Sequence, residues 1–270
     1  MMEKLDLTQT TFIIPLCIES EDRRKNTEIT LSYLCKYLNT NIIIYEYDTE
    51  SKLKPILDKI DFGKTKIDHW FIENKTGNKI FHRTRFLNEM IMASRTPVVV
   101  NYDIDVIFTP KCYEKCQEFI LGGHDLVYPY FWGNSQYQVF KSGRSKLEKT
   151  LDLNSLDLKI ECNLTRSEYG HAQFFKRSAY LEGGLEQEEM ISYGPEDAER
   201  GLRFQKLGYV VVWSNFFVFH IEHSRTLNSS QQNPHFKHNV ELFEKLKAMS
   251  KEELRLYYDN VEYMKKYRNA

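Results

Sequence analysis

Two short motifs contain the kinds of side chain that bind divalent cations. Asp103 and Asp105 form the only Asp-x-Asp of the chain, directly after the apolar residues 97–102. His220 and His223 form an H-x-x-H after a second apolar segment. Hard cations prefer carboxylate oxygens, and borderline metals such as manganese or zinc also accept imidazole nitrogen. Each motif alone is also compatible with a surface turn, in which Asp is common.

Glu196 and Asp197, in YGPEDAER, are candidates for proton transfer. A carboxylate that faces a pocket can accept a proton from an attacking hydroxyl when it lies within hydrogen-bond reach. These residues also follow Pro195 at the start of an amphipathic segment, and acids in the first turn of a helix complement its dipole. The sequence therefore leaves a catalytic role and a capping role open.

Phe81 and Arg83 begin another segment that we expect to be helical. An arginine at a helix start can hold a phosphate or a carboxylate, and an aromatic ring can stack on a base. Equally, Phe81 could belong to the core and Arg83 could be solvated.

Strand and helix patterns alternate over the first 100 residues, and these elements would position the motifs. Short apolar runs predict strands and spaced apolar residues predict helices. The expected strands are residues 11–18, 42–47, 69–72 and 97–102, and the expected helices are residues 27–38, 51–60 and 81–93. This alternation predicts an α/β fold with a mainly parallel sheet and crossover helices. Ligands of such sheets bind beyond the carboxyl ends of the strands, where Asp103 and Asp105 lie.

The second half of the chain has a less regular pattern. We expect helices at residues 111–121 and 196–207, and strands at 126–131, 136–140, 172–175, 209–213 and 216–220. Residues 19–26 suggest a polar turn, and residues 147–162 are polar with no clear pattern. We predict one α/β domain over residues 1–235 and a helical C-terminal appendage over 236–270. Its mixed charges suit packing on the domain or on a partner subunit, or contact with an anionic membrane.

Composition excludes several classes of function. The 270 residues carry 37 basic and 38 acidic side chains, a formal charge of -1, which gives no general field for a nucleic-acid partner. Five cysteines without a C-x-x-C pair predict buried, reduced thiols rather than disulfides or a thiolate zinc site. No apolar run approaches the roughly 20 residues that span a bilayer. We therefore expect a cytoplasmic protein whose membrane contact is at most peripheral.

The order of the motifs along the chain resembles that of the GT-A glycosyltransferases, most closely the β-1,4-galactosyltransferase-like and capsule-biosynthesis enzymes. Residues 81–88, FHRTRFLN, are similar to F-N-R-A-K-L-L-N, and Asp103-Ile104-Asp105 to D-V-D. Residues 193–197, YGPED, are similar to W-G-G-E-D, and residues 220–225, HIEHSR, to M-I-R-H-S-R. The resemblance spans roughly residues 11–225 and is specific only at these four motifs.

The resemblance implies a Rossmann-like GT-A fold and a role for each matched residue. Asp105 and His223, with His220 at the methionine position, would bind Mn²⁺ or another divalent cation, and Asp197 would be the catalytic base. The donor nucleotide-sugar and the acceptor would contact the remaining matched residues, namely Phe81, Arg83, Asp103 and Pro15 for the donor, and Glu196, Tyr193 and Gly194 for the acceptor. The acids Asp103, Asp105, Glu196 and Asp197 would then form one cluster that tolerates its own charge only around a cation.

The implied function is an inverting, metal-dependent glycosyltransferase of polysaccharide biosynthesis. It would move a hexose (galactose, N-acetylgalactosamine or glucose) from a UDP-sugar to a hydroxyl of a saccharide, glycolipid or glycoprotein. Closure of the loop at residues 182–193 over the bound donor would build the acceptor site. Two alternatives are a sugar-phosphate nucleotidyltransferase, although residues 17–22 lack the glycines of its phosphate loop, and a non-catalytic sugar-nucleotide-binding module.

The sequence departs from the family pattern at several positions. Pro15 matches the proline of the family's first strand, but the P-F-R-N-R segment that starts there is not present. The arginine that binds the diphosphate or uracil must then be Arg23, Arg24 or absent. Pro195 replaces a glycine and Tyr193 replaces a tryptophan, which puts the choice of sugar and the acceptor geometry in question.

Overall fold

The computed structural model describes residues 3–77 and 79–268, so the last two residues of the expected appendage lie outside it. Its strands, in chain order, are β1 (Leu5–Leu16), β2 (Leu38–Asp48), β3 (Lys66–Glu73), β4 (Val98–Tyr102), β5 (Val106–Ile107), β6 (Leu126–Tyr128), β7 (Gly133–Val139), β8 (Cys162–Ser167), β9 (Ala172–Lys176), β10 (Val211–Trp213) and β11 (Val218–Ile221). Its α-helices are α1 (Glu21–Tyr37), α2 (Lys54–Leu57), α3 (Arg83–Ala93), α4 (Pro110–Leu121), α5 (Lys141–Thr150), α6 (Arg177–Glu182), α7 (Glu196–Leu207), α8 (Phe236–Ala248), α9 (Lys251–Asn260) and α10 (Glu262–Arg268).

The larger sheet has seven strands in the order β10-β6-β9-β4-β1-β2-β3. All neighbouring pairs are parallel except those of β9, which runs antiparallel to β4 and β6. Phe12, Ile13 and Ile14 are consecutive and fully buried, as expected for a sheet that helices cover on both faces. This confirms the predicted α/β fold with a mainly parallel sheet.

A smaller sheet, in the order β5-β11-β7-β8, extends from the edge where β4 ends. β5 begins one residue after Asp105 and pairs antiparallel with β11, with Val106 opposite His220. The backbone N–H of Ile221 also donates a hydrogen bond to the Asp105 carbonyl (2.8 Å). Backbone pairing thus places His220, the first histidine of the H-x-x-H, beside the Asp-x-Asp, although about 115 residues separate them in sequence.

Two sequence-based expectations in the first half are wrong. The polar residues 19–26 are mostly helical, because the Ser20 side chain accepts a hydrogen bond from the Arg23 N–H (3.2 Å) and caps α1. The helix expected at residues 51–60 is reduced to the single turn α2. There the Glu46 carboxylate accepts hydrogen bonds from the N–H groups of Lys52 (2.7 Å) and Leu53 (2.8 Å) and holds the chain outside a helix.

Other elements differ in extent or were not expected. Strand β1 starts at Leu5, six residues before the expected start, whereas β6 is shorter than expected. The short elements α5, α6, β5 and β8 lack a periodic apolar pattern and were not expected. By contrast, α7 has the expected bounds, 196–207. Four of the five cysteines are buried, as predicted, whereas Cys17 is only partly buried. No helix of the described residues is long and apolar enough to cross a membrane.

The three C-terminal helices pack against α7 and the loop that precedes it. Asn239 on α8 is fully buried and donates hydrogen bonds to the carbonyls of Ile191 (2.8 Å) and Tyr193 (3.0 Å), while its oxygen accepts one from the Ile191 N–H. The Tyr258 hydroxyl on α9 donates to Glu199 on α7 (2.7 Å). These bonds tie residues 236–268 to the loop beside the sheet's carboxyl edge.

Substitution of Asn239 tests this connection. Asn239→Ala leaves one N–H and two carbonyls of this partly buried loop without their side-chain partner, so we expect a loss of about 2–3 kcal/mol in the free energy of unfolding, measured with urea. Glu241→Ala, at an exposed site on the same helix, should change it by less than about 0.5 kcal/mol. Equal effects of the two substitutions would show that the loop does not depend on α8.

Candidate active and metal-binding site

A cleft of about 290 Å³ opens at the carboxyl edge of the large sheet and collects most of the candidate residues. Each comes from the end of an element, because parallel strands end at this edge and the next helices start there. The candidate residues that line the cleft are Pro15, Phe81, Arg83, Asp103, Asp105, Tyr193, Glu196, Asp197, His220 and His223. Four motifs separated in sequence therefore meet in one place.

Three of these residues form a cluster that could hold a metal ion. The closest ligand atoms of Asp105, His220 and His223 all lie within 4.8 Å of one another. His223 Nε2 is 3.1 Å from Asp105 Oδ2, and His220 Nε2 is 3.7 Å from Asp105 Oδ1. Asp105 is 6% exposed, so its charge is compensated mainly by these neighbours rather than by water.

The hydrogen bonds of both histidines favour a cation between them and Asp105. His220 Nδ1 is 2.8 Å from Gln138 Oε1, and His223 Nδ1 is 2.9 Å from the Ser224 carbonyl. Both partners are acceptors, which keeps the proton of a neutral ring on Nδ1 and turns the lone pair of Nε2 toward the carboxylate. Lone pairs that face each other at this range repel unless a cation or a proton lies between them. The donor set, one carboxylate and two imidazoles, therefore fits a divalent cation.

Charge distribution around Asp105 supports the same conclusion. Burial alone would raise the pKa of Asp105, but the two histidines and Arg23 outweigh it and lower the pKa, so the carboxylate is ionised. Burial lowers the pKa of His220 to about 3, against the influence of Asp105, so this imidazole is neutral at pH 7. An ionised carboxylate and a neutral imidazole are the protonation states that metal ligands require.

The structure distinguishes the two arginines that the sequence left open. Arg23 lines the cleft, and its Nη1 lies 3.6 Å from Asp105 Oδ2. Its Nε is buried without a hydrogen-bond partner among the described residues. Arg24 instead forms ion pairs with Glu21 (2.7 Å) and Glu28 (3.2 Å) on its own helix. Arg23 is therefore the arginine placed to bind an anionic ligand beside the metal cluster.

The other three acids surround Arg83, not the metal cluster. Arg83 Nη2 lies 2.6 Å from Asp103, and its Nη1 lies 3.8 Å from Asp197 and 3.9 Å from Glu196. The expectation that Asp103, Asp105, Glu196 and Asp197 share one cation is therefore wrong. Asp105 lies with the two histidines, whereas the other three acids lie around the guanidinium of Arg83.

Asp197 is held by a second buried arginine. Arg200, one turn further along α7, is fully buried and forms ion pairs with Asp197 and Glu186 (2.5 Å each) and a hydrogen bond to Gln173. Burial would raise the pKa of Asp197, but Arg200 and Arg83 more than offset this and lower it. Asp197 is therefore an ionised carboxylate with a fixed orientation on the wall of the cleft, as a proton acceptor requires.

Glu196 has the opposite electrostatic environment. Its side chain is 8% exposed, and its Oε2 has no hydrogen-bond partner in residues 3–77 and 79–268. Burial, together with the neighbouring charge of Asp197, raises the pKa of Glu196 to about 8. Glu196 therefore carries a proton at pH 7 and can donate a hydrogen bond into the cleft.

The remaining candidates have different positions. The Phe81 ring packs on Tyr47 and Phe86 and is nearly buried, yet it also lines the cleft, so its core role and a ligand role coexist. The Tyr193 ring stacks on Phe236 (5.8 Å between centroids) at the cleft wall. Gly194 is not among the residues that line the cleft. A side chain at Gly194 would collide with Asn239, so its lack of a side chain serves helix packing.

Several cleft residues were not expected from the sequence, among them His171, Arg225 and Asn228. Asn228 donates hydrogen bonds to Glu19 and to the Lys79 carbonyl and accepts one from the Phe81 N–H, so it joins three loops at the rim. These residues lie in loops, where no periodic pattern marks them. Arg225 is the last residue of the matched segment HIEHSR, and that match was the available signal for it.

The loop at residues 182–193 was expected to close over a ligand. In the structure, buried hydrogen bonds hold its first residues in place. The carbonyls of Gly183 and Leu185 accept hydrogen bonds from Arg203, and Asn88 bonds both the N–H and the carbonyl of Glu186. Glu186 itself is 1% exposed. A hinge at Gly183 would have to break these buried bonds.

The raised pKa of Glu196 has a measurable consequence for stability. The folded state binds this proton more tightly than the unfolded state does, where the pKa is about 4.5, so the stability it contributes falls as pH rises from about 4.5 to 8. We expect metal-free Glu196→Gln to lose on the order of 1 kcal/mol less per pH unit across this range than the native protein. Urea unfolding at several pH values checks this, and parallel curves for both proteins would contradict it.

No protein-family model and no curated protein matches the sequence. Similar solved structures include a mannosyltransferase from Pyrobaculum calidifontis, PcManGT, in complex with GDP-Man and Mn²⁺, with 11% identity and a TM-score of 0.50 over 82% of this chain. Another is GalNAc-T7 with UDP, GalNAc and Mn²⁺, with 14% identity and a TM-score of 0.58 over 96% of this chain. This chain spans just over half of each, 58% and 54% respectively.

At these identities the likeness concerns the fold alone. Both neighbours have the architecture found here, a mainly parallel central sheet with flanking helices. The predicted fold class is confirmed, whereas the closer resemblance to the β-1,4-galactosyltransferase-like group stays a prediction. The chain has the GT-A glycosyltransferase fold.

Proposed function

We propose that the protein is a metal-dependent glycosyltransferase that moves a hexose from a UDP-sugar to a hydroxyl of a saccharide acceptor with inversion. The observation that carries this proposal is the joint placement of two separate groups in one cleft. One is the triad Asp105, His220 and His223, with Arg23 beside it, and the other is the ionised Asp197. The two similar structures, whose bound ligands are nucleotides or nucleotide-sugars with Mn²⁺, lend further support.

The triad would hold Mn²⁺ or another divalent cation. A cation there supplies Lewis-acid stabilisation of the charge on the donor's diphosphate. The chain's own contribution is to fix three ligand atoms through backbone pairing and through the Nδ1 hydrogen bonds of both histidines. Arg23 adds a positive charge on the same side of the cleft.

Asp197 would act as the base of a single displacement. It would accept the proton of the acceptor hydroxyl while that oxygen forms a bond to the anomeric carbon of the hexose. The bond from this carbon to the phosphate oxygen breaks at the same time, and its electron pair leaves with UDP. Attack from the face opposite UDP inverts the anomeric centre. The ion pairs of Asp197 with Arg200 and Arg83 keep the carboxylate ionised and oriented for this step.

The other cleft residues would bind the two substrates. Pro15, Phe81, Arg83 and Asp103 lie on the side where β1 and β4 end, which suits the donor nucleotide and its ribose. The positive charge of Arg83 would then also compensate the negative charge of Asp103 beside the donor. Tyr193 and protonated Glu196 lie beside Asp197, which suits contacts with the hydroxyls and a ring face of the acceptor.

Transfer activity with a substituted base tests this function. Incubation with Mn²⁺, a panel of UDP- and GDP-sugars and saccharide acceptors should release UDP in the native protein. Asp197→Asn keeps the shape and the Arg200 contact but removes the base, so we expect transfer to fall by about 10²–10⁴-fold with UDP affinity unchanged. Asp259→Asn, an exposed site on α9, is the control. Full activity of Asp197→Asn, or release from GDP-sugars only, would contradict the proposal.

Metal binding tests the triad independently of turnover. We expect Asp105→Ala and His223→Ala each to weaken Mn²⁺ binding at least about 100-fold, since loss of an outer-shell partner alone can cost 10–100-fold. His238→Ala, an exposed histidine on α8, should leave it unchanged. Electron paramagnetic resonance titration of free Mn²⁺ gives the affinities, and circular dichroism checks folding. Native affinity in both triad variants would place the cation elsewhere.

A nucleotidyltransferase or a non-catalytic module predicts different results. The former would release pyrophosphate from a nucleoside triphosphate, and the latter would bind UDP-sugar and Mn²⁺ without releasing UDP. The same samples, supplied with UTP and a sugar phosphate or with UDP-sugar alone, distinguish these outcomes.

A further inference from the structure

His171 has a backbone conformation that residues with a side chain rarely adopt. Its φ is +73°, in the left-handed region, at the end of the loop that leads into β9. This region costs roughly 1–2 kcal/mol for a residue with a Cβ and almost nothing for glycine. Because β9 is antiparallel to β4, the loop returns to the carboxyl edge of the sheet, and the His171 carbonyl accepts a hydrogen bond from the Asp103 N–H (2.9 Å). Histidine thus occupies a position at which the backbone conformation alone would favour glycine.

The imidazole of His171 lies between the two halves of the cleft. Its ring centroid is 5.6 Å from that of His220 on the metal side, and Tyr130 contacts it edge-on at 5.7 Å. The charges of Asp103, Asp105 and Asp197 all act on it, so it is near the donor side, the metal triad and the base. Among the described residues, none hydrogen-bonds to either of its ring nitrogens. His171 therefore presents an unpaired polar edge to the cleft that it lines.

That position coincides with the place where the transferred sugar must lie. In a single displacement the anomeric carbon stands between the leaving phosphate oxygen, on the triad's side, and the attacking hydroxyl, on the side of Asp197. A side chain located between those groups borders the sugar ring. Its two ring nitrogens can form hydrogen bonds with sugar hydroxyls.

We propose that His171 determines which hexose is transferred, because its polar imidazole lies against the sugar ring of the donor. This inference rests on the proposed function. A site that hydrogen-bonds a substrate hydroxyl rejects a sugar that leaves the polar group unpaired, and a bulky ring excludes larger substituents. Neither effect requires His171 to bind the metal or the nucleotide.

Replacement of His171 by glycine tests this proposal, because glycine readily adopts the positive φ and only the side chain is lost. His171→Gly should fold, bind Mn²⁺ and bind UDP within about twofold of the native protein. The ratio of kcat/KM for UDP-N-acetylgalactosamine to that for UDP-galactose should change by about tenfold or more. His171→Asn, which tolerates the left-handed region and keeps a smaller polar group, should give an intermediate ratio. Leu151→Gly, at another left-handed residue outside the cleft (φ +47°), controls for the backbone change and should leave the ratio unchanged.

The outcomes separate this inference from the function on which it rests. The inference fails if the native protein releases UDP but His171→Gly keeps the ratio of kcat/KM for the two donors, or lowers transfer from both donors equally. His171 then does not select the sugar. If UDP or Mn²⁺ affinity falls with the ratio unchanged, His171 supports the nucleotide site instead, and the inference also fails. If the folded, Mn²⁺-binding native protein transfers from no donor, the proposed function fails and this inference with it.

Discussion

Asp105 is only 6% exposed and lies between two imidazoles and a guanidinium. The arrangement of the cleft depends on how the negative charge of this carboxylate is compensated. A buried carboxylate is costly unless it is paired. Here the histidines that lie against Asp105 are positioned by a two-residue strand, β5. This strand directly follows the Asp-x-Asp and pairs with β11. The smaller sheet thereby brings the H-x-x-H from about 115 residues away to the edge where the large sheet ends. That pairing places His220 beside the carboxylate, and His223 follows two residues after the end of β11.

The charged groups of the cleft form two separate sets, and each set contains both acids and the positive groups that lie against them. Arg83 lies among Asp103, Glu196 and Asp197, and Arg200 fixes the orientation of Asp197 and also pairs with Glu186. This division lets two adjacent acids on one helix turn differ in protonation, with Asp197 ionised and Glu196 protonated at pH 7. One can then accept a proton while the other donates a hydrogen bond.

Much of the fold could be predicted from the sequence, because apolar runs and strong boundaries mark buried strands and long helices. Pro195, the acids after it and Gly208 with its φ of +94° define both ends of α7. The candidate motifs were also visible, since pairs of acids or histidines follow apolar runs and occur in the order of a known family pattern. What could not be predicted depends on tertiary contacts. Strand β5 is too short for a pattern, and the carboxylate of Glu46 overrides a helical segment through bonds to Lys52 and Leu53.

Site residues were missed for the same reason. His171 lies in a loop, and its significance comes from a backbone angle and from neighbours distant in sequence. Arg23 and Arg24 are adjacent, and only the orientation of α1 decides that the first faces the cleft. Gly194 matched a motif, yet its role is to admit Asn239 from α8.

Diffraction at the manganese absorption edge, from crystals soaked with Mn²⁺ and UDP, tests the central claim most directly. The account predicts one anomalous peak within bonding distance of a carboxylate oxygen of Asp105 and of Nε2 of both His220 and His223. A peak at Asp103 and Glu196 instead, or bound UDP with no peak at the triad, would contradict it.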